Sequence, residues 1–225
     1  MLVVRKRRGG GTERTLAGTE RSSETEQPSI ETEGPERGVR PVRLSADVLP
    51  TPVGELLIVC DADALCIVDY DDFAPRMHAS LARRYGAYDL VRVPNPLGVT
   101  ALLERYFGGD LAAIEGVRVH TGGTPYQRRV WERLRTIPPG QTRTYGQIAA
   151  QLGETHARAV GHANSLNPIA IVVPCHRVIG ADAALTGYAG GLARKRWLLE
   201  HETRGGAPLA LFGSEWARTA EWERS

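Results

Sequence analysis

The sequence predicts an α+β protein in which a small strand-and-helix region precedes a helical region. Two β-rich runs, Gly54–Cys60 and residues 64–70, flank a short polar turn, which is the pattern of a hairpin. Apolar residues after the hairpin recur at helical spacing. From residue 124 onward, capping residues and proline or glycine stops mark successive helices.

The composition is that of an ordinary globular protein. The chain has 225 residues, 42% of them hydrophobic, which is enough to bury a core in one domain or two small ones. Cys60, Cys66 and Cys175 belong to no short-spaced Cys/His group, so neither a disulfide framework nor a metal site is expected. Neither a membrane span nor a signal-peptide core is visible in the sequence. We expect a protein of the cytosol, or of the nucleus in a eukaryote, that binds no membrane and uses no metal or cofactor.

Composition divides the chain into four parts. Residues 1–40 are rich in charged and small polar residues and poor in apolar ones, which predicts a disordered tail. Residues 41–120 are predicted to form the strand-and-helix domain and residues 121–203 the helical domain. Residues 204–225 are predicted to be a C-terminal tail.

Charge is distributed unevenly between the two predicted domains. Residues 41–123 carry 7 basic and 11 acidic side chains, a net charge of −4, whereas residues 124–202 carry 10 basic and 5 acidic ones, a net charge of +5. A basic half suits a polyanionic partner, although such an excess is commonly a solvated face. The basic run at residues 5–8 has the same two interpretations, with a solvated tail favoured.

Two helices are predicted after the hairpin, and Cys60 and Cys66 are predicted to face the interior of the strands. Their apolar positions are Met77, Leu81 and Tyr85 in the first helix and Leu102, Leu103, Tyr106 and Phe107 in the second. Residues 94–96 interrupt the region as a loop, and residues 108–110 close the second helix.

Three further helices are predicted in the second domain. Thr124 and Pro125 begin the first, which residues 138–140 end. Thr144 and Gln147 have capping-box spacing at the start of the second, which Gly153 ends. With a third helix over Ala157–Ser165, the last two have the helix-turn-helix arrangement of many DNA-binding modules.

The last helix of this pair is unusual because most of its residues are small. Ala157, Ala159, Gly161 and Ala163 carry no groups that read base edges, which suits close approach to a DNA backbone and minor groove. Tight packing inside a core explains the same composition. Arg158, long and charged among small neighbours, is suited to filling the place of an extruded nucleotide.

Cys175 stands at the most informative position in the chain. Residues 169–173 are predicted to be a buried extended segment, and Pro174 then forces a turn. His176 and Arg177 are expected to give the thiol electropositive surroundings, which favour the nucleophilic thiolate. The alternative is an inert core cysteine.

Residues 124–202 resemble the catalytic domain of the alkylguanine-DNA alkyltransferases, also called methylated-DNA–protein-cysteine methyltransferases. Residues 43–120 resemble the family's ribonuclease-H-like N-terminal domain only in the order of strands and helices, and the helix-turn-helix would be winged-helix-like. The matching segments are the helix from Thr124, Thr144-Tyr145-Gly146, Arg158-Ala159-Val160-Gly161, Asn167-Pro168, Pro174-Cys175-His176-Arg177-Val178, residues 185–192, Lys195, Trp197-Leu198-Leu199 and Glu202.

The resemblance implies DNA repair in which Cys175 takes the alkyl group from O6-alkylguanine, or from O4-alkylthymine, in a single turnover. His176, through a water, and Glu202 would withdraw the thiol proton. Asn167 would brace the turn before the active-site segment, although an ordinary Asn-Pro turn has the same local shape. Tyr145 would donate a proton or a hydrogen bond to the leaving guanine, which is electrostatic assistance to a developing charge.

Substrate and DNA contacts follow from the same resemblance. The carbonyls of Cys175 and Val178 would accept the exocyclic amine of guanine, the N–H of Ala189 would reach O6, and Tyr188 would line the pocket. The expected partner is double-stranded DNA, bound through the minor groove with little sequence preference by a monomer. Its predicted contacts are Ala157, Arg158, Ala159, Gly161 and Tyr145.

Two other classes of function remain open at this stage. A non-enzymatic sensor of alkylated bases is one, although the relatives of that kind replace the acceptor cysteine, which this chain keeps. A cysteine hydrolase is the other, and would need an imidazole set against the thiol together with oxyanion donors. The chain departs from the family at residues 181–184, where alanine at 183 is expected to strain a turn that requires positive φ.

Overall fold

The computed structural model describes residues 40–153, 156–182 and 184–205, which form a mixed α+β structure. The predicted N-terminal tail apart from residue 40, the predicted C-terminal tail beyond residue 205, and the departure at Ala183 lie outside the described residues. Among the helices that are described, none combines the length and the apolar character needed to cross a membrane.

A four-stranded sheet occupies the first part of the described chain. Its strands are β1 (Val42–Thr51), β2 (Gly54–Cys60), β3 (Leu65–Tyr70) and β4 (Tyr88–Arg92), in the order β3-β2-β1-β4. β2 runs antiparallel to both β1 and β3, whereas β4 runs parallel to β1. The predicted hairpin is therefore confirmed as β2 and β3. The sequence pattern does not predict β1 and β4, because both are largely half-exposed and their apolar residues do not alternate clearly.

One helix packs against each face of this sheet. α1 (Ala74–Tyr85) covers a small cluster that includes Cys66, and α2 (Val99–Phe107) packs in the main core, which includes Cys60. Both cysteines are completely buried strand residues, so their predicted inward orientation is confirmed. Both helices were predicted from their apolar spacing, and both are confirmed. The spacing is a reliable signal here because the sheet buries the apolar side of each helix.

Four α-helices follow the sheet in the described part of the chain. They are α3 (Pro125–Arg135), α4 (Tyr145–Gln151), α5 (Ala157–Ser165) and α6 (Leu192–Thr203). α3 and α4 each begin with a capping box, in which a threonine hydroxyl and a glutamine side chain bond each other's backbone N–H groups. The capping box of α4 and the threonine cap of α3 were predicted, whereas the part of Gln127 in α3 was not.

The edge of β3 that does not pair with β2 instead bonds backbone from the second half of the chain. The N–H of Val68 donates to the carbonyl of Pro168 at 3.1 Å, and the N–H of Ala170 donates to the carbonyl of Val68 at 2.8 Å. Leu65 makes the same kind of pair with the segment around Val119. The segment that leads to Cys175 is thereby anchored on the sheet.

The prediction of an extended segment over residues 169–173 is wrong, although all five residues are buried as predicted. The segment pairs with β3 only at Ile169 and then turns. Ile171 has φ of 70°, and the N–H of Val173 donates back to the carbonyl of Ile169 at 3.0 Å. A buried loop of apolar residues has the same composition as a buried strand, which is why the pattern could not distinguish them.

A short second sheet connects the helices to the active-site segment. β5 (Arg143–Thr144) lies parallel to β6 (Val178–Ile179), which follows the cysteine turn. Because α4 begins directly after β5, this pairing sets Tyr145 beside the residues that follow Cys175.

Candidate active site

Cys175 begins a single 3-10 turn, Cys175–Arg177, directly after Pro174, and only 6% of its surface is exposed. Burial raises the pKa of the Cys175 thiol, while a hydrogen bond from Asn167 and the positive charge of Lys195 act in the opposite direction. His176 and Arg177 therefore do not supply the positive charge that the sequence predicted beside the thiol. The side chains of His176 and Arg177 are directed to Glu202 instead.

His176 links the cysteine turn to the last turn of α6. It is completely buried, and its Nε2 lies 2.9 Å from Oε1 of Glu202. Burial lowers the pKa of His176, although the neighbouring Glu202 raises it, so the imidazole is neutral near pH 7. A neutral imidazole whose Nε2 faces a carboxylate donates from Nε2, which makes Nδ1 an acceptor. Among the described residues, Nδ1 has no hydrogen-bond partner.

Glu202 is a buried carboxylate whose oxygens are shared by several donors. Arg177 donates to it from Nε at 2.9 Å and from Nη2 at 2.7 Å, and the N–H of Gly140 donates at 3.2 Å. Burial by itself would raise the pKa of Glu202, but His176 and Arg177 hold it well below its usual range. Arg177 also donates to the carbonyl of Ile137, so it anchors the active-site turn.

Tyr106 is also a residue of this site, although its sequence pattern predicted only a position on the apolar face of a helix. It lies on α2, and its hydroxyl donates to Oε1 of Glu202 at 2.7 Å across 96 residues of sequence. Burial raises the pKa of Tyr106 well above its usual range, so the hydroxyl remains a donor. Its apolar helical spacing hides this polar role, which no local pattern reveals.

Asn167 closes the turn before the cysteine. Its Nδ2 donates to the carbonyl of Val173 at 2.8 Å, and its Oδ1 accepts from the N–H of Ile169 at 3.0 Å. These bonds join the two ends of the buried loop. The structure therefore places Asn167 where a brace was predicted.

Lys195 also lies at the site, although it was singled out only as part of the family resemblance. The side chain is completely buried, and Nζ donates to the carbonyls of Val178 at 2.6 Å and Thr186 at 2.7 Å. Burial lowers the pKa of Lys195 to about 8, and Cys175 raises it. Val178, predicted to accept from guanine, thus already accepts from Lys195, and its second lone pair remains for a further donor.

Tyr145 stands at the first position of α4 and is half-buried. Its hydroxyl donates to the carbonyl of Gly187 at 3.2 Å, which joins α4 to the loop of residues 185–191. A Cβ at Gly161 would lie 3.8 Å from the Tyr145 ring, an ordinary contact distance. Gly161 therefore sits beneath Tyr145. Ala189 is half-buried in the same loop as Tyr188, whose hydroxyl bonds that of Tyr70 at 2.8 Å.

The start of α5 exposes three consecutive predicted DNA contacts, Ala157, Arg158 and Ala159. Ala163 does not share that surface, because its position on the helix turns it into the core, where it is 1% exposed. Asn164, which was not predicted, donates from Nδ2 to the carbonyl of Cys175 at 3.4 Å. α5 thus contacts the active-site turn directly.

The described residues contain no group of three or more His, Cys, Asp or Glu side chains placed to hold a metal. The fold and the site define a protein in which a small sheet supports paired helices and a buried cysteine lies next to a His–Glu pair. Residues 125–204 match the family described as 6-O-methylguanine DNA methyltransferase, DNA binding domain. The chain is 50% identical over 165 residues to a methylated-DNA–protein-cysteine methyltransferase of Salmonella typhimurium, covering 72% of this chain and 96% of the relative.

Two solved structures are also similar. One is the Mycobacterium tuberculosis OGT in complex with DNA, with 41% identity and a TM-score of 0.63, covering 76% of this chain and 98% of the other. The second is an O6-methylguanine-DNA methyltransferase from the archaeon Pyrococcus kodakaraensis, with 26% identity and a TM-score of 0.55, covering 71% and 98%. The chain belongs to the methylated-DNA–protein-cysteine methyltransferase family.

Proposed function

We propose that this protein repairs DNA by moving the alkyl group of O6-alkylguanine, and of O4-alkylthymine, to Cys175 in a single displacement. The observation that carries the proposal is a buried thiol at Cys175 followed directly in the chain by His176, whose Nε2 is held by Glu202 and whose Nδ1 is unpaired among the described residues. Membership of the family supports the same reaction.

The proton path follows from these contacts. The thiol proton of Cys175 passes through a water to Nδ1 of His176, and Glu202 stabilises the imidazolium that forms. Arg177 and Tyr106 keep the Glu202 carboxylate ionised and fixed in place. The positive charge of Lys195 favours the thiolate, which compensates part of the cost of burial.

The displacement itself breaks one bond and forms one. The thiolate sulfur attacks the alkyl carbon, the bond between that carbon and O6 breaks, and both bonding electrons leave with O6. The Tyr145 hydroxyl, which now donates to Gly187, would donate to the guanine and lower the cost of expelling it as an anion. The product is a thioether, which has no easy route back to a thiol, so each chain reacts once.

Base extrusion is the second part of the proposal. Guanine inside a duplex cannot reach a buried thiol, so the base must leave the stack. The exposed start of α5 suits minor-groove binding with little sequence preference, and Arg158 would occupy the vacated place. In this proposal α4 and α5 are the helix-turn-helix of a winged-helix-like domain at residues 121–203, and the sheet belongs to a ribonuclease-H-like domain at residues 41–120.

The proposal extends to the oligomeric state of the protein and the cellular compartment in which it acts. We expect a monomer, since one copy of the chain supplies the proposed thiol, proton path and DNA-contacting helix. Cys60, Cys66 and Cys175 are all free thiols in the structure. Because transfer consumes a free thiol, we expect the protein to act in a reducing compartment such as the cytosol, or the nucleus in a eukaryote.

Mass spectrometry of the intact protein after mixing with a duplex that contains O6-methylguanine tests the reaction. One added methyl group per chain, mapped by peptide digestion to Cys175, is the expected result. Sustained release of a small methylated product would indicate a turnover enzyme instead. Binding of the damaged duplex without any transfer would indicate a sensor.

Substitution Arg158→Ala tests the extrusion step separately. Loss of the side chain that fills the stack should slow repair of the duplex by about tenfold, while transfer from a free O6-alkylguanine base is unchanged. Arg196, an exposed arginine of α6, provides the matched control for loss of one charge. Equal slowing of both reactions by Arg158→Ala would mean that Arg158 supports the site structurally.

A further inference from the structure

Tyr70, the last residue of β3, contacts the loop that carries Tyr188. The two hydroxyl oxygens are 2.8 Å apart, and the rings meet edge to face with their centroids 6.4 Å apart and an interplanar angle of 75°. Tyr70 is 1% exposed. Nothing in the proposed reaction uses the hydrogen bond between these two tyrosines, and burial, with a smaller contribution from Cys175, raises the pKa of both hydroxyls.

The loop is packed directly against both rings. A Cβ at Gly190 would lie 2.4 Å from Cε2 of Tyr70 and 2.7 Å from Cε1 of Tyr188, distances that real side chains do not reach. Gly190 is therefore required by space. The loop backbone and the two aromatic rings form one closely packed unit, in which a shift of Tyr70 would move the loop.

Arg194 also contacts the Tyr70 ring. Its guanidinium lies 4.1 Å from the centre of the Tyr70 ring, and its Nε donates to the carbonyl of Val53 at 2.8 Å. Its Nη1 donates to Asp72 at 2.9 Å and to the carbonyl of Gly190 at 3.2 Å. The sheet, the loop and the start of α6 are thus tied together around Tyr70.

We propose that Tyr70 is a positioning residue that fixes Tyr188 as a wall of the alkyl pocket and so limits the size of the alkyl group transferred to Cys175. This inference rests on the proposed function. A small alkyl group depends on close walls to align its carbon with the sulfur, whereas a bulky group needs room. Releasing Tyr188 should therefore disfavour methyl transfer relative to transfer of a larger group.

The experiment compares Tyr70→Phe with the unchanged protein. Single-turnover rates are measured on two duplexes of the same sequence, one with O6-methylguanine and one with O6-benzylguanine. We expect the ratio of the benzyl rate to the methyl rate to rise about fivefold, the effect expected from loss of one hydrogen bond. A purely structural weakening would slow both rates together and leave this ratio unchanged.

Tyr106→Phe is the matched control, because it removes the hydroxyl of another buried tyrosine that bonds Glu202 rather than Tyr188. It should slow both reactions by the same factor. Tyr188→Phe removes the Tyr70 bond from the other side and should reproduce the change in ratio. The double variant Tyr70→Phe with Tyr188→Phe should add nothing further, since both single changes break one bond.

The outcomes separate the two proposals. If the unchanged protein transfers no alkyl group to Cys175, the proposed function fails. If it transfers both groups and Tyr70→Phe leaves their ratio unaltered, or changes it no more than Tyr106→Phe does, the inference about Tyr70 is overturned. Should Tyr70→Phe fail to fold, as judged by thermal unfolding, Tyr188→Phe carries the same test.

Discussion

Two clusters in this molecule bring together the same five kinds of side chain, yet only one of them is suited to activate a thiol. We call them the active-site cluster and the surface cluster. The active-site cluster consists of Cys175, His176, Glu202, Tyr106 and Arg177. The surface cluster consists of Cys66, His120, Asp61, Tyr85 and Arg84.

The two clusters differ in the order of their hydrogen bonds. In the surface cluster, Tyr85 donates to Asp61 at 3.1 Å, and its oxygen lies 3.2 Å from the sulfur of Cys66, which donates to the carbonyl of Ala64 at 3.5 Å. His120 contacts the same carboxylate from a side chain that is 46% exposed. In the hydrogen bonds of the described residues, the imidazole of His120 therefore bonds the acid without standing between the acid and the thiol.

The second difference is the burial of the histidine, since His176 is completely buried whereas the side chain of His120 is 46% exposed. The two carboxyls, by contrast, behave alike. Burial by itself would raise the pKa of both Asp61 and Glu202, but hydrogen-bond donors and neighbouring charges hold both carboxyls below their usual range, so neither accepts a proton easily. In the active-site cluster the neutral, buried His176 is the group that can accept one. The comparison teaches that residue types alone do not make a nucleophile, because the sequence of donors and acceptors decides where the proton can go.

The sharpest test of this comparison exchanges each cysteine for alanine. Cys175→Ala should lose alkyl transfer completely while still binding duplex DNA, because it removes the acceptor atom. Cys66→Ala should transfer one methyl group as the unchanged protein does. Single-turnover assays with peptide mapping check both, and methylation of Cys66 or Cys60 would contradict the distinction between the clusters.

The two carboxylates provide the next test. Glu202→Gln should slow transfer by about 100-fold, since the amide cannot stabilise the His176 imidazolium. It should also lower the free energy of unfolding by about 3 kcal/mol, because Arg177 loses its buried partner. Asp61→Asn, the counterpart in the surface cluster, should leave the transfer rate unchanged. Equal slowing by both variants would show that the proton path does not run through Glu202.

A smaller effect is expected from Lys195→Met, measured as the reaction of Cys175 with iodoacetamide across pH. Burial raises the pKa of Cys175, so its reactivity should climb with rising pH beyond the range of an ordinary cysteine. Removing the charge of Lys195 should raise that pKa further and slow the reaction near pH 7 by about tenfold, one pKa unit. In the unchanged protein this help should fade as pH rises through about 8, where Lys195 loses its proton.

Cys66 in the same variant is the internal control, because burial, Tyr85, Arg84 and Asp61 act on its pKa. Its reactivity should be the same with and without the substitution. An unchanged Cys175 profile in Lys195→Met would show that Lys195 only bonds the carbonyls of Val178 and Thr186.

Local signals predicted much of the fold and of the site. The capping boxes at Thr124 and Thr144 are short-range patterns, and the helices begin there. Glu202, singled out only through the family resemblance, lies within the final turns of α6, so it faces His176 from a fixed backbone. The roles of Tyr106 and Asn164 were missed, because each depends on contacts with residues that are distant in sequence.

By itself, the sequence determined the helices α1 to α5, the hairpin of β2 and β3, and the candidate for the reactive residue, because hydrophobic spacing, capping and the Pro-Cys-His-Arg segment each occupy a few neighbouring positions. The tertiary structure decided which way each charge turns. Arg177 is two positions from Cys175 in the chain, but its side chain pairs with Glu202. Lys195, 20 positions beyond Cys175 in the sequence, supplies the positive charge that acts on the thiol. The physical reason is that electrostatic interactions depend on distance and burial in three dimensions, which sequence separation does not measure.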